Sequence, residues 1–516
     1  MRRIGIPCLV AALGAAVYLL VAPPSADLAA QEYRADLGLT LWNNGWFAGH
    51  HTPGYSVLFP PLGGALGVRL TGALAAVAAT ALFAALAHRH WDGDRDRAAG
   101  LAALWFAAGT TAVLLTGRLT FLLGVAIGIG ALLALAHDRR ILAAALAAAT
   151  TLASPVAGLF VALAAVAWGL AGRRERGAAG VAITLAALAP TALMLGLFPQ
   201  GGSEPFVASA FWPALAGTLL MAALLPAQER VLRTGALLYA VALAAAFALA
   251  TPLGGNASRL GALVAGPVLL GALIGRRSPL RLAALATALA YWPLYPAVRD
   301  VVRATGDPSL QASYYAPLLR ELDARAERGT YRLEIPFTEN HWEARHVAGG
   351  RDAIAIARGW ERQLDRRYGA LFYDGSLDAS SYRAWLDERA VAYVALPDVA
   401  LDYAGSDEGR LVAAGLPYLR EVWRDEHWRL FAVRRPRPLA EGAGGVRATL
   451  SGGSTITLRA RRPGDVLLRV HHTRWWRITD GSACVARAPG GMTRVRVRRA
   501  GTVRIQTRLT GSSCAR

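Results

Sequence analysis

Long apolar stretches rich in alanine and leucine dominate the chain from Met1 to about Ala297, and short polar segments separate them. A helix needs roughly 17–25 apolar residues to cross the bilayer core. On that criterion the pattern predicts about eleven spans, at 4–22, 66–88, 97–116, 119–137, 141–152, 156–172, 178–197, 208–225, 230–250, 258–275 and 279–297. The stretch 141–172 is interrupted by Ala153-Ser154-Pro155, so it is either a hairpin of two short helices or one long kinked helix.

Arginine clusters mark one side of this bundle. They fall at 2–3, 88–97, 138–140, 173–176, 229–230 and 276–277, whereas the opposite turns at 154–155, 198–202 and 252–256 are nearly free of charge. Cytoplasmic loops carry the excess of arginine in membrane proteins. The pattern therefore predicts a cell-membrane protein with its N-terminus inside and its C-terminus outside, provided that 141–172 crosses twice. The first apolar segment reads as a retained anchor, with a cleaved signal peptide as the alternative.

Two arginines depart from this sorting. Arg118 lies between the third and fourth spans, and Arg259 follows Asn256 at the start of the tenth, both on the predicted outer face. One interpretation is snorkelling of the guanidinium to lipid headgroups. The other is a site for an anion, such as the phosphate of a lipid carrier, because arginine near the membrane interior usually serves a function.

The predicted first outer loop, residues 23–65, is long for a compact bundle, and loops of this length are usually functional. Its carboxylates include Glu32 and Asp36, and a carboxylate can take a proton from an attacking hydroxyl as a general base. Trp42 and Trp46 follow and could stack on sugars or anchor the loop in the interface. His50 and His51 come next and could contribute to a metal site or a substrate site. The alternative for the segment is an interfacial helix followed by a proline-rich turn.

The composition changes after about residue 300. Residues 301–438 mix strand and helix patterns and predict an α/β domain outside the cytoplasm. Residues 439–516 show short alternating strands and predict a β-sandwich. Trp475 and Trp476 would either stack on a sugar of a glycan or be a core tryptophan beside an edge one. Cys484 and Cys514 fall in this outer region, where a disulfide can persist.

The composition excludes some kinds of site and disfavours one class of partner. The chain is 54% hydrophobic and 17% charged with a formal charge of +20, and it contains no lysine. Without lysine neither a Walker A loop nor a Schiff base is possible. The arginines are divided between short loops and the outer region, which disfavours nucleic acid as a partner and favours anionic lipid or glycan.

These features together resemble the GT-C glycosyltransferases, integral membrane enzymes that use polyprenyl-phosphate sugars. The resemblance covers about residues 1–300 and rests on the first span, the long outer loop with its acids, and the turn His51-Thr52-Pro53-Gly54-Tyr55. The segments 116–124 and 153–158 are also similar to predicted membrane proteins of GC-rich actinobacteria.

The resemblance implies transfer of a sugar from a lipid-linked donor to an extracytoplasmic glycan or lipid acceptor. Asp36 would act as the base, with Glu32 as the second choice, while Arg118 and Arg259 would hold the carrier phosphate. A divalent metal is an open expectation. A polytopic transporter or lipid flippase and a catalytically inactive glycan-binding scaffold are the alternatives.

Overall fold

The computed structural model describes residues 2–91, 93–172, 174–350, 353–442, 444–451 and 453–510. The chain divides into two compact units. The membrane unit comprises Met1–Gln31 and Gly54–Thr305, and the second unit comprises Glu32–Pro53 and Gly306–Arg516. The predicted loop 23–65 is thus divided: residues 32–53 fold with the C-terminal residues, which the sequence of the loop did not indicate.

The apolar stretches of the membrane unit are all helical. The helices are α1 (Arg2–Val21), α2 (Ala26–Leu37, which continues into the second unit), α3 (Phe59–Leu66), α4 (Val68–His90), α5 (Asp96–Leu115), α6 (Leu119–Ala136), α7 (Arg140–Ala153), α8 (Pro155–Ala171), α9 (Arg174–Leu197), α10 (Ala208–Leu224), α11 (Arg230–Ala248), α12 (Arg259–Leu273) and α13 (Pro279–Ala304). Among the described residues, 7 helices are long and apolar enough to cross a membrane, in α1, α4, α5, α6, α9, α11 and α12, while α7, α8 and α10 are shorter. A count of eleven crossings and the sidedness stay predictions.

The interrupted stretch 141–172 is a hairpin. Ser154 separates α7 from α8 in extended backbone, and its hydroxyl caps α8 by accepting the Ala157 N–H. Proline at the first position of α8 suits a helix start, because its missing N–H would have no helical partner there. Thr150 and Val161, on either side of the break, both approach Gly128 of α6, so the chain folds back on itself.

Small side chains let the helices of the membrane unit approach closely. Ala79, Ala99, Ala102 and Ala147 are all fully buried, as is common where membrane helices pack through van der Waals contact. Large apolar side chains face outward instead, for example Leu20 at 85% exposure and Ile141 at 89%. A surface of this kind suits lipid, and we conclude that the membrane unit is a multi-pass membrane domain.

The C-terminal part of the second unit starts with α14 (Ala312–Arg325), which a mixed sheet follows. Its strands are β3 (Arg332–Glu334), β4 (Val391–Pro397), β5 (Leu419–Arg424) and β6 (Trp428–Val433), and its helices are α15 (Glu343–His346), α16 (Arg362–Tyr368), α17 (Ala379–Glu388) and α18 (Tyr403–Ala413). The order is β3-β4-β6-β5; β3 and β4 are parallel and the others antiparallel. The sheet and its helices confirm the mixture of strand and helix that the sequence predicts for this region.

Two further four-stranded sheets follow, with the orders β12-β13-β10-β7 and β11-β14-β9-β8. Their strands are β7 (Ala440–Gly442), β8 (Val446–Ser451), β9 (Thr455–Ala460), β10 (Gly464–His471), β11 (Trp476–Asp480), β12 (Ala483–Arg487), β13 (Met492–Val497) and β14 (Gly501–Thr507). One apolar core joins residues of both sheets, among them Leu468, Val495, Ile456 and Ile505, as in a β-sandwich. Cys484 lies in β12, whereas Cys514 is outside the described residues.

The loop segment 32–53 is an integral part of the second unit. It forms the short antiparallel pair β1 (Trp42–Asn43) and β2 (His50–His51). Backbone N–H groups at Ile356 and His471 donate to the carbonyls of Gly45 and Ala48, at 2.9 and 2.8 Å. Because these bonds tie the segment to residues more than three hundred positions away, we expect the second unit to need it for folding.

Candidate functional site

Arg118 contacts an acid in the membrane unit. Its Nε lies 3.4 Å from Oδ2 of Asp27, and the two side chains are 28% and 35% exposed. Asp27 stands in the first turn of α2, where the helix dipole favours a negative charge. A half-exposed ion pair of this kind contributes only about 0.2–1 kcal/mol, so a more highly charged anion could displace the carboxylate from Arg118.

Gln31 fixes α2 against the turn that carries Arg118. It lies four residues after Asp27, on the same helix face. The backbone N–H and the hydroxyl of Thr120 both donate to its side-chain carbonyl at 2.9 Å. Its amide in turn donates to the Gly117 carbonyl. Both ends of the buried Gln31 amide are therefore satisfied, which defines the position of α2 relative to the start of α6.

The turn itself requires glycine. Gly117 has φ of +68°, a left-handed conformation that an L side chain adopts only with strain. A Cβ at this position would lie 2.2 Å from the Ser25 hydroxyl and 2.9 Å from the Leu28 backbone nitrogen. The absence of a side chain thus lets α2 come close, and the following Arg118 is directed from the N-cap position of α6.

Arg259 begins α12, and it belongs to the same neighbourhood. Its guanidinium carbon lies 5.6 Å from the ring centroid of Phe121, in the first turn of α6. It interacts electrostatically with Arg118, Asp27, Tyr55 and Glu204. The two predicted arginines therefore interact electrostatically, at the N-terminal ends of α6 and α12.

The loop before α12 positions Arg259. Asn256 lies in a short 3-10 turn, Gly254–Ser258, and its backbone carbonyl accepts the Arg259 N–H. Gly254 packs directly against the backbone of Glu204, whose N–H donates to the Thr251 carbonyl at 3.0 Å. This arrangement brings a second carboxylate, Glu204, near the arginine pair.

The physical character of this cluster is that of an anion site. Two guanidinium groups interact electrostatically at helix N-termini, where unpaired N–H groups and the dipole favour negative charge. Arginine also matches the geometry of phosphate oxygens through paired N–H donors. Asp27 beside them forms an ion pair with Arg118 and can accept a proton.

Glu32 and Asp36, the acids favoured from the sequence, belong to the second unit. Both contact Arg345, which stands in α15: its Nε lies 3.7 Å from Glu32 and its Nη1 lies 3.0 Å from Asp36. They are four residues apart on α2 and therefore share one helix face. Their observed contacts are two ion pairs within the second unit.

The expectation of sugar stacking by the loop tryptophans is wrong in this structure. Trp42 and Trp46 are 2% and 0% exposed. Trp46 stacks on Tyr33, with ring centroids 4.1 Å apart. Trp42 lies edge-on to His51 and to Trp476, at 4.9 and 5.5 Å. Their faces are covered by protein, because the segment fills the core of the second unit.

The histidines of the loop are core residues as well. Nε2 of His51 lies 2.8 Å from the Thr473 hydroxyl. His50 is buried against Trp46, and burial together with the charge of Arg34 lowers its pKa to about 3. His50 is therefore neutral at physiological pH. Their burial corrects the expectation that His50 and His51 bind a substrate.

The two adjacent tryptophans of the sandwich, Trp475 and Trp476, differ in their burial. Trp476 is 1% exposed and belongs to the sandwich core, so the core alternative holds for it. Trp475 is only partly buried, and the Arg474 guanidinium lies 4.7 Å from its ring. Of the two, Trp475 alone keeps a partly accessible ring.

The expectation of a divalent metal finds no matching ligand set. Among the described residues, no group of three or more His, Cys, Asp or Glu side chains is arranged to hold a metal ion.

The sequence did not lead us to select Asp27 or Gln31 as site residues. A signal was present: an acid and an amide four residues apart fall on one face of a short helix, and Thr116-Gly117-Arg118 marks a turn directly before an apolar helix. What the sequence could not show was that α2 packs on that turn.

Comparisons with known proteins find few matches. No family model matches the chain, and no curated protein matches it. Among solved structures, the chain is similar to the apo form of the oligosaccharyltransferase of Archaeoglobus fulgidus, with 14% identity and a TM-score of 0.46, over 76% of this chain and 69% of that one.

Proposed function

We propose that the protein is a membrane glycosyltransferase that transfers a sugar from a polyprenyl-phosphate donor to an extracytoplasmic glycan or lipid acceptor. The observation that carries the proposal is the cluster of Asp27, Arg118 and Arg259 at the ends of apolar helices. It combines a phosphate-binding pair and a potential base at the edge of a membrane domain. The GT-C resemblance of residues 1–300 agrees with it.

In this mechanism Arg118 and Arg259 bind the donor phosphate. The incoming phosphate competes with Asp27 for Arg118, and the ion pair that it replaces is weak. The Asp27 carboxylate is then released toward the acceptor hydroxyl. Phosphate binding and activation of the base are thereby linked at one residue.

The chemical step exchanges one bond at the anomeric carbon for another. The acceptor oxygen attacks that carbon while its proton passes to Asp27, as in general-base catalysis. The bond between the anomeric carbon and the phosphate oxygen breaks, and polyprenyl phosphate leaves with both bonding electrons. Arg118 and Arg259 stabilise the charge that develops on the leaving phosphate.

Asp27 replaces Asp36 as the leading candidate for the base, because its observed partner is Arg118, whereas that of Asp36 is Arg345. The second unit would bind the acceptor on the outer side, with Trp475 as the remaining candidate for sugar contact. Its extracytoplasmic position follows from the arginine sorting.

Transfer assays with the full-length protein in nanodiscs test this assignment. Radiolabelled polyprenyl-phosphate sugars serve as donors, and cell-envelope lipid and glycan fractions serve as acceptors. We expect Asp27→Asn to lower kcat by about 10²–10⁴-fold, the usual contribution of a general base. Asp36→Asn should retain most activity, and Asp323→Asn, which alters an exposed acid paired with Arg328, is the matched control.

Substitution of Arg118 and Arg259 tests their role in binding the donor phosphate. Arg118→Met and Arg259→Met should each weaken donor use by roughly tenfold or more, since a hydrogen bond to a charged group contributes about 1.5–3 kcal/mol. Arg89→Met is the control, because Arg89 stands in the last turn of α4 and is not part of the cluster. Undiminished transfer by Asp27→Asn would refute the role of Asp27. Donor binding without turnover, over a panel of acceptors, would instead indicate a non-catalytic carrier-binding protein.

A further inference from the structure

Two arginines are buried side by side in the second unit, away from the proposed catalytic cluster. Arg332 in β3 is 0% exposed, and Arg389, which follows α17, is 3% exposed. A guanidinium carries a full charge and five N–H donors. Such a group is rarely buried completely unless it is paired.

The hydrogen bonds of the pair are incomplete. Nη1 of Arg332 donates to the Arg389 carbonyl at 2.7 Å. Arg389 donates through Nη1 to the Phe47 carbonyl and to Nε2 of His471, at 3.0 and 2.9 Å, and through Nη2 to the Tyr368 carbonyl at 2.7 Å. Nε of both arginines and Nη2 of Arg332 have no hydrogen-bond partner among the described residues.

All the hydrogen-bond acceptors named are neutral. The carbonyl groups carry no net charge. Burial and the charges of Arg389 and Arg332 hold the pKa of His471 well below its usual range, so this imidazole is neutral as well. These contacts therefore satisfy some of the donors but leave the two positive charges uncompensated.

Neighbouring carboxylates compensate the charges poorly. Glu388 lies 3.8 Å from Nη2 of Arg389, but its side chain is 52% exposed and is screened by water. Glu334, two residues after Arg332, is fully buried, and burial beside Glu408 raises its pKa well above the usual value. Glu334 and Asp365 also act electrostatically on Arg389, yet burial still lowers the pKa of Arg389. Burial and the charge of Arg389 lower the pKa of Arg332 to about 9. The positive charges are thus poorly compensated in a site shielded from solvent.

We propose that Arg332 and Arg389 hold a small monovalent anion of halide size, bound by the three N–H positions that protein leaves unmatched. A buried unpaired cation and buried unmatched donors both destabilise the folded state, and one such anion relieves both. The occupant must be small, because Arg332, Arg389 and His471 are at most 9% exposed.

The anion has a structural consequence. Arg389 contacts Phe47 of the loop segment and His471 at the end of β10, while Arg332 belongs to the mixed sheet. Three parts of the second unit therefore meet at this pair. Occupancy should stabilise the second unit and, with it, the attachment of the loop segment.

Thermal unfolding of the full-length protein in detergent tests the proposal. Sodium chloride and sodium bromide are compared with sodium gluconate at equal ionic strength, since gluconate is too large for a sealed site. We expect a saturable rise of the unfolding temperature of the second unit, on the order of 5 °C, with either halide. Arg332→Met should abolish the halide dependence, whereas Arg420→Met, at an exposed position of the same sheet, should retain it.

A second measurement uses only the wild-type protein, so it does not depend on whether Arg332→Met folds. Crystals grown in bromide should show one anomalous peak next to the Arg332 and Arg389 guanidinium groups. Unfolding temperatures that are equal in all three salts, or the lack of such a peak, would overturn the proposal and indicate that water alone satisfies the donors.

Discussion

Replacing Gly117 by alanine perturbs the turn that places Arg118 next to Asp27. The backbone at Gly117 is left-handed, with φ of +68°, and an L side chain there costs about 1–2 kcal/mol. The added Cβ would also stand 2.9 Å from the Leu28 nitrogen, a backbone atom of α2 that cannot rotate away. Overpacking of this kind costs about 1–3 kcal/mol more, so Gly117→Ala should destabilise the protein by roughly 2–5 kcal/mol.

Gly38 provides a matched control for this change. It also has positive φ, +58°, but a Cβ there meets nothing within 4 Å. Gly38→Ala should therefore cost only the conformational part, about 1–2 kcal/mol. The difference between the two variants isolates the effect of the close approach at Gly117.

Two measurements decide the outcome. Unfolding in mixed micelles of detergent and sodium dodecyl sulfate gives the stability difference, and transfer kinetics give KM for the polyprenyl-phosphate donor. We expect Gly117→Ala to lose at least twice as much stability as Gly38→Ala and to raise KM about tenfold, because Arg118 moves. Equal effects of the two variants on stability and on KM would refute the reasoning that this turn positions the site.

Three further expectations concern the packing. His50 has a pKa lowered from 6.5 to about 3. As the pH falls, the unfolded state therefore takes up the proton first, and the folded state loses stability between about pH 6.5 and 3. From pH 7 to 5 the free energy of unfolding falls by roughly 2 kcal/mol. His50→Gln should flatten this slope in chemical unfolding of the second unit, and an unchanged slope would assign the titration elsewhere. Trp46→Leu should cost about 3 kcal/mol or more by cavity formation, whereas Trp475→Leu should cost less than about 1 kcal/mol; similar losses would contradict the burial difference. Ser154→Ala removes the cap of α8 and should cost about 1 kcal/mol, measurable in mixed micelles, and no loss would argue against the cap.

The helices of the membrane unit could be predicted because an apolar stretch in lipid has few alternatives to a helix. Even the break at Ser154 was visible in the sequence. The sequence left open whether this stretch forms a hairpin or one kinked helix. It forms a hairpin in which Thr150 and Val161 both pack on Gly128, a contact that no local pattern reveals. The individual edge strands of the sandwich could not be located, since short segments such as β7, Ala440–Gly442, carry too few alternating positions to stand out.

The site was predicted only in part, for a physical reason. Arg118 and Arg259 stood out because charge near apolar helix ends is rare. The choice among the acids of α2 depended on partners far along the chain: Arg118 for Asp27, but Arg345 for Asp36. Trp42 and Trp46 suit either a sugar site or a core, and only tertiary packing distinguishes the two.

Photolabelling with a diazirine-bearing polyprenyl-phosphate sugar tests the central claim most directly. The claim is that Arg118 and Arg259 bind the donor phosphate. We expect label on peptides that contain residues 118–122 or 259–263, competition by unlabelled donor, and loss of label in Arg118→Met and Arg259→Met but not in Arg89→Met. Label confined to other peptides, or undiminished in both arginine variants, would contradict the account.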